Sequence, residues 1–311
     1  MARAFKRNQA EHDYRTAVGG GRTLDPEDLE CITYEKDPER MTATVTLNRP
    51  EKMNALTIGM RDGIDAIVQD LEGDDVTKVV VIKGAGNSFC GGYDVEEVKQ
   101  FNWSGQRIDP NITRRTFRMS QERWMRLWNV RQITIAQVHG YCLVGGVDLI
   151  AVCDLVFAAD DAKFGQPQAR RQGLVHTFGM YPTYLGPRKT KEYALTGEAM
   201  SGEEAERYGL INRAVPFDQL ENTVEEYVDK LIEIPAYLLY AQKDTTNRWY
   251  ETQGIRAAMH VADDLDAICL TGAANAEFGQ TVMSKGLKGA IEDRDSAFGD
   301  YAQGNTTEEG S

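Results

Sequence analysis

The stretch from Ile133 to Gln168, ITIAQVHGYCLVGGVDLIAVCDLVFAADDAKFGQPQ, constrains the fold more than any other part of the chain. Thr134 to Val138 is short, rich in β-branched residues and followed by Gly140, which predicts a buried strand entering a tight turn. The next apolar run restarts at Gly145-Gly146 and sets Val147, Leu149, Ile150, Val152 and Cys153 at mixed helical spacing before Asp154 closes it. A short buried helix is expected there, and Leu155 to Ala159 supplies a second strand. Strand, glycine loop, helix and strand in this order leave the N–H groups of the Gly145-Gly146 helix start without intrahelical partners. Such donors suit an oxygen on which negative charge develops.

The same alternation of strand and helix surrounds this stretch. Met41 to Leu47 alternates at period two and predicts a strand ending at Asn48-Arg49-Pro50. Thr57 to Leu71 carries Met60, Ile64, Ile67, Val68 and Leu71 at helical spacing, with Thr57 as the cap. Lys78 to Lys83 holds Val79-Val80-Val81-Ile82, apolar on both faces as in a parallel sheet covered by helices, and Gly84-Ala85-Gly86 turns the chain. NSFCGGYD, from Asn87 to Asp94, is a second place where glycines let backbone approach a ligand. A helical stretch from Val95 to Phe101 follows it, and a long amphipathic one runs from Thr113 to Val130. The pattern predicts an α/β fold. After Gln168 the chain reads as irregular through Pro187; helices resume over Thr190 to Leu195 and Gly202 to Arg207, with an edge strand over Asn212 to Val215. Asn222 to Ile234, Ala236 to Tyr250, Thr252 to Leu270 and Gly272 to Met283 are helical in pattern. The expected organisation is a flexible arm over 1–28, a core over 29–221, a helical region over 222–302 and a disordered tail over 303–311.

Composition narrows the function classes. A chain of 311 residues, 41% hydrophobic, buries a full core. Its 35 Lys and Arg against 48 Asp and Glu give a formal charge of -13, which repels nucleic acid and anionic membranes. No apolar segment approaches the roughly 20 residues of a membrane helix. The start, MARAFKRNQ, is basic without an apolar core and is followed by Glu11 and Asp13, so a cytoplasmic location is expected. The five cysteines are scattered in apolar contexts without metal-ligand spacing, and read as buried thiols rather than a disulfide or metal site.

Six motifs in order carry a resemblance. They are LNRPEKMNAL from Leu47, SFCGGYD from Ser88, HGYCLVGGVDLIAVCDLVFA from His139, FGQPQ from Phe164, LTGEAMSGEEAERYGLINRAVP from Leu195 and KGLKGAIEDR from Lys285. From about Ile32 to Tyr301 the chain resembles the crotonase superfamily of enoyl-CoA hydratases and isomerases. The resemblance implies a spiral of repeated ββα turns with a helical C-terminal trimerisation region. It also implies homotrimers often paired into hexamers, an acyl-CoA substrate, and no cofactor beyond the CoA moiety. Its oxyanion hole falls on the backbone N–H groups of Tyr93 and Gly145. Two fixed donors there would each stabilise a thioester enolate by roughly 3 to 4 kcal/mol in the transition state. Its CoA-binding segment falls on Arg49, Lys52, Asn54, Ala55 and Leu56, with Gly92 and Asp94 beside them; Arg49 or Lys52 is the candidate phosphate contact. Pro50 and Asn54 equally suit a plain turn into a helix.

The acid–base positions depart from the hydratase pattern. Where that pattern has two glutamates, one in the helix after the oxyanion loop and one after the FGQP run, this chain has Asp148 and Gln168. Asp148, in the first turn of its helix, is favoured in the ionised form and can activate water. Gln168 donates and accepts hydrogen bonds but cannot trade a proton near neutral pH. Losing one general acid or base typically removes about 10²- to 10⁴-fold of rate. Candidates for the missing carrier are His176, Tyr181 and Tyr184, and the ring of Tyr93 is expected in the acyl pocket. Arg170 and Arg171 are read as partners of Asp160, of Asp161 or of the CoA phosphates, or as plain surface charge. Trp103 and Trp124 suit either a bulky, cyclic acyl group or core packing. Three functions stay open: a hydratase-like enzyme with Asp148 and an unconventional acid; a hydrolase or carbon–carbon lyase acting on a β-keto, cyclic or aromatic acyl-CoA; and a non-catalytic CoA-binding protein.

Overall fold

The computed structural model describes residues 29–97, 109–174, 180–299 and 301. The expected arm over 1–28, the tail over 303–311, Trp103, His176 and the end of the Val95 to Phe101 stretch lie outside them.

Nine strands form two sheets among the described residues. In chain order they are β1 (Ile32–Asp37), β2 (Thr42–Leu47), β3 (Val79–Gly84), β4 (Ile133–Val138), β5 (Tyr141–Leu143), β6 (Leu155–Ala159), β7 (Lys163–Gly165), β8 (Met200–Ser201) and β9 (Arg213–Val215). The large sheet runs β1-β2-β3-β4-β6-β9; β1 pairs antiparallel with β2, and the other pairs are parallel. The small sheet runs β5-β7-β8. Val79 to Ile82 in β3 and Ile133 to Ala136 in β4 are buried on both faces, which is why these strands lack alternation.

The helices are α1 (Ile58–Glu72), α2 (Pro110–Asn129), α3 (Gly145–Ala151), α4 (Tyr181–Thr196), α5 (Gly202–Tyr208), α6 (Phe217–Glu233), α7 (Ala236–Thr252), α8 (Ile255–Cys269) and α9 (Ala273–Asp295). α1 begins where expected: the Thr57 hydroxyl accepts the Met60 N–H at 3.0 Å, and Met60, Ile64, Ile67, Val68 and Leu71 face the core. The chain passes from large sheet to small sheet to helix as β4–β5–α3, and from small sheet through helix back to the large sheet as β8–α5–β9, winding α/β units about one apolar core. α8 packs on α2, and α7 is tied beneath the large sheet by Lys243, whose Nζ lies 2.7 Å from Asp154 and 2.9 Å from the Gln132 carbonyl.

Three expectations need correction. The segment after Gly140, read as a glycine loop, contains β5; with β7 and β8 it forms a sheet whose two- and three-residue strands are too short to show a period. The stretch read as irregular through Pro187 holds α4, which starts at Tyr181 and bends at Gly186, where φ is +69°, instead of ending before Pro187. Among the cysteines, Cys90, Cys142 and Cys153 are buried, but Cys31 is partly exposed and Cys269 exposed; all five are free thiols. No described helix is long and apolar enough to cross a membrane.

Candidate active site

Turns at 49–56, 84–94 and 139–146 are laced together by backbone. Leu56 N–H donates to the Gly92 carbonyl at 2.7 Å and Asp94 N–H to the Leu56 carbonyl at 3.0 Å, an isolated parallel bridge between Leu56 and Tyr93. Because Leu56 uses both of its backbone groups on the neighbours of Tyr93, the Tyr93 N–H is turned to the opposite side. Cys90 bridges Cys142 in the same way, receiving the Leu143 N–H at 2.9 Å and donating to the Tyr141 carbonyl at 2.9 Å. Gly140, at φ +57°, must be glycine: a Cβ there would stand 2.0 Å from the Asn87 carbonyl oxygen.

Asn54 locks these turns. Wholly buried and itself at φ +53°, it accepts the Arg49 N–H at 2.8 Å and donates to the Ala85 and Ser88 carbonyls, both at 2.8 Å. Its side chain is therefore spent on the fold, and Leu56 is wholly buried beside it. Arg49 pairs with Asp94. That hydrogen bond raises the guanidinium further; burial alone would raise the Asp94 carboxyl, but Arg49 and the Glu96 and Glu97 N–H groups hold it below its ordinary range. Ala55 is partly buried and Lys52 is exposed on the same turn.

The second oxyanion candidate lies against the first. A Cβ on Gly145 would meet Tyr93 Cε1 at 3.0 Å, Tyr93 Cζ at 3.1 Å and Leu56 Cδ1 at 3.1 Å, so the tyrosine ring rests on the start of α3. Val144, before it, holds φ +48° and ψ −108°, a conformation a β-branched residue adopts only at a cost on the order of 1–3 kcal/mol. Two hydrogen bonds impose it: Val144 N–H to the Gly165 carbonyl at 2.9 Å and Asp148 N–H to the Val144 carbonyl at 3.0 Å. The strain sits where the backbone is turned to aim Gly145.

Asp148 is 2% exposed and accepts the Tyr93 hydroxyl at 2.8 Å on Oδ2. Trp124 Nε1 in turn donates to the Tyr93 hydroxyl oxygen at 3.2 Å, and the Arg61 guanidinium stands 5.4 Å from the ring centroid. Burial, then the Asp148 charge, pushes the Tyr93 phenol well above its ordinary value, against the pull of the Trp124 N–H and Arg61. Burial also pushes the adjacent Cys90 thiol up to about 12, so it carries no thiolate near neutral pH.

Gln168 stands in the 3₁₀ turn Pro167–Arg170. Its Nε2 donates to Gln166 Oε1 at 2.5 Å, and buried Gln166 donates through Nε2 to the Tyr181 hydroxyl at 2.8 Å. This orientation leaves Gln168 Oε1 as an acceptor, buried and with no partner among the described residues. The Leu174 N–H after this turn donates to buried Asp266 of α8 at 2.7 Å.

The remaining candidates are distributed differently. Tyr184 donates its hydroxyl to the Ala151 carbonyl at 3.0 Å, holding the end of α3. Arg170 is buried rather than plain surface charge. Its buried guanidinium bridges to Asp295 at 2.9 Å, donates to the Thr196 carbonyl at 3.0 Å and stacks on Phe298 at 3.7 Å. Arg171 reaches Glu277 at 4.0 Å. Trp124 is core by burial and site by its N–H. Sequence reasoning missed three functional contacts: the Tyr93 hydroxyl on Asp148, the Gln166 relay behind Gln168, and Asp266. Only Gln166 left a signal, a polar residue inside the FGQPQ run. No group of His, Cys, Asp or Glu among the described residues has the arrangement to hold a metal.

The chain has known relatives. A family model described as enoyl-CoA hydratase/isomerase matches residues 38–300. The EchA13 protein of Mycobacterium tuberculosis is 32% identical over 257 residues, covering 77% of this chain and 80% of its own length. A short-chain-enoyl-CoA hydratase of Clostridium acetobutylicum is 30% identical over 225 residues, 71% of this chain and 82% of that protein. Among solved structures, an enoyl-CoA hydratase of Mycobacterium smegmatis superposes with a TM-score of 0.83 at 27% identity, covering 89% of this chain and 97% of that one.

Proposed function

Because this chain belongs to the enoyl-CoA hydratase/isomerase family, we propose that it is a hydro-lyase adding water across the Cα–Cβ double bond of an enoyl-CoA. The observation that carries the reading is the contact of both glycine turns around one buried carboxylate, Asp148, with Tyr93 resting on Gly145. In this reading the Tyr93 and Gly145 N–H groups receive the thioester oxygen as it becomes an enolate. Asp148 takes a proton from the attacking water. Gln168 presents Oε1 to that water and orients it without exchanging a proton. Lys52, exposed beside Ala55, is the phosphate contact, and Arg49, engaged by Asp94, together with Asn54, Leu56 and Gly92, shapes the turn that meets the CoA moiety. The chemistry calls for no cofactor beyond that moiety. The active form is a homotrimer or a pair of trimers: α8 turns Val261, Leu265 and Ile268, 57%, 50% and 59% exposed, outward along one face.

A second reading, hydrolysis or carbon–carbon cleavage of an acyl-CoA by Asp148-activated water, is favoured by one observation, the amide of Gln168 where a second carboxylate would stand. Incubating the full chain with a panel of acyl-CoAs and weighing the products separates the two. A gain of one water without fragments is expected for an enoyl-CoA; fragments from a β-keto or cyclic ester select the second reading, and unchanged ligands refute both. Asp148→Asn should lower turnover by about 10²-fold or more with ester affinity nearly unchanged. Wild-type turnover in that variant would remove Asp148 from the chemistry.

A further inference from the structure

Resting on the hydration reading, we infer that the Tyr93 phenol is the second proton carrier, donating to Cα of the enolate and recovering its proton from Asp148. Hydration needs one group to accept the proton of water and a route that delivers a proton to Cα. Gln168 supplies no route, because an amide does not titrate in water's range. Tyr184 is turned toward the Ala151 carbonyl, and the Tyr181 hydroxyl accepts from Gln166 behind Gln168. The Tyr93 hydroxyl meets the carboxylate at 2.8 Å, while its ring lies on Gly145. Phenol, carboxylate and the start of α3 at Gly145 thus meet at one point.

The steps balance. As the water oxygen bonds to Cβ, Asp148 takes one proton from it, and the Cα–Cβ π pair moves through the carbonyl carbon onto the thioester oxygen. Neutral Asp148 no longer needs the phenol's hydrogen, so the 2.8 Å bond can reverse its direction. The enolate carbon collapses back, taking the proton from Tyr93 Oη. The carboxylic acid of Asp148 then returns its proton to the phenolate, and both groups end as they began. An enolate carbon is more basic than a phenolate, so the transfer is favourable even from a phenol whose pKa burial has raised. Trp124 Nε1 at 3.2 Å and the Arg61 guanidinium at 5.4 Å from the ring are placed to stabilise the phenolate during its short life.

The test uses the full chain and Tyr93→Phe, which keeps the backbone N–H and the ring on Gly145 and deletes only the hydroxyl. Three quantities are read: deuterium uptake at Cα of butyryl-CoA in D₂O, hydration of crotonyl-CoA, and butyryl-CoA affinity as a check of folding. Uptake and hydration should both fall by about 10²-fold or more, with affinity within about threefold of wild type. Uptake in Tyr93→Phe within about threefold of wild type overturns the assignment, as does a wild type that exchanges nothing. So does a His176→Ala variant that loses exchange while Tyr93→Phe keeps it. Exchange without hydration refutes the hydratase reading alone. If Tyr93→Phe fails to bind ester, 3-fluorotyrosine in place of Tyr93 keeps the shape and acidifies the phenol; an unchanged uptake rate then overturns the proposal.

Discussion

Gln168 shows how far one side chain commits its neighbours. Its Nε2 faces Gln166 Oε1, and Gln166 is fixed in turn by its donation to the Tyr181 hydroxyl. Gln168→Glu would bring two acceptors face to face, forcing Gln166 to flip or the new carboxyl to stay protonated. In the proposed hydration site it would also add a second carboxylate to the one water, and carboxylates sharing one water raise each other's pKa. The variant should therefore lose stability by about 1–3 kcal/mol and turn over its substrate more slowly, although it restores the glutamate that the hydratase pattern has at this place. Thermal unfolding and steady-state rates check both. A faster Gln168→Glu enzyme would show that the amide is a handicap rather than part of the working site.

Among elements, the connection from α1 to β3 carries a readable electrostatic signature. Asp74 accepts the Val76 and Thr77 N–H groups at 2.8 and 3.1 Å and the Thr77 hydroxyl at 2.8 Å, and pairs with Lys36 at 2.7 Å. Burial alone would raise its pKa; the Lys36 hydrogen bond and those of Thr77 and Val76 overcome this and lower it to about 2. A depressed carboxyl stabilises the fold fully above its unfolded value near 3.8 and loses that contribution as pH falls through about 2. Asp74→Asn should accordingly melt lower than wild type at pH 7, with the gap closing between pH 4 and 2 in a series of melting curves. The connection also separates what was legible from what was not. β2, β3, β4, α1 and α3 were readable because each carries its own period or apolar run within a single segment. β1 had a partner but no apolar run: only Ile32 among its residues is buried, and the rest face solvent in part or wholly. β5, β7 and β8 exist only because distant segments pair with them. The candidate site divides the same way. Asp148, Gln168, Tyr93 and Gly145 stand in contiguous motifs. The Trp124 N–H comes from a helix 31 residues after Tyr93, and the Arg170–Asp295 bridge spans 125 residues, separations that no local pattern encodes.

For the whole molecule, the proposed trimer would cover the outward apolar face of α8, and light scattering at low ionic strength should give at least three copies per particle. Leu265→Asp should shift the particle to smaller species, because a charge on that stripe must be desolvated to be covered. A stable, active single copy would refute the trimer.

Beyond its own Gln166 relay, the turn that carries Gln168 is anchored by residues translated long after it. Leu174 depends on Asp266, Arg170 on Asp295, Gln172 on Arg294, and the Gly165 backbone abuts Tyr301, which in turn donates to the Gly197 carbonyl at 2.9 Å. The Arg170–Asp295 pair is 3% and 2% exposed at its side chains, and an unmatched charge buried there costs about 3–5 kcal/mol. On the ribosome, the strands of both sheets and the Asp148 helix have all emerged by Val215, whereas this turn waits for the last stretch of the message. A nascent chain can thus form its carboxylate and its glycine turns before these late anchors of the Gln168 turn exist.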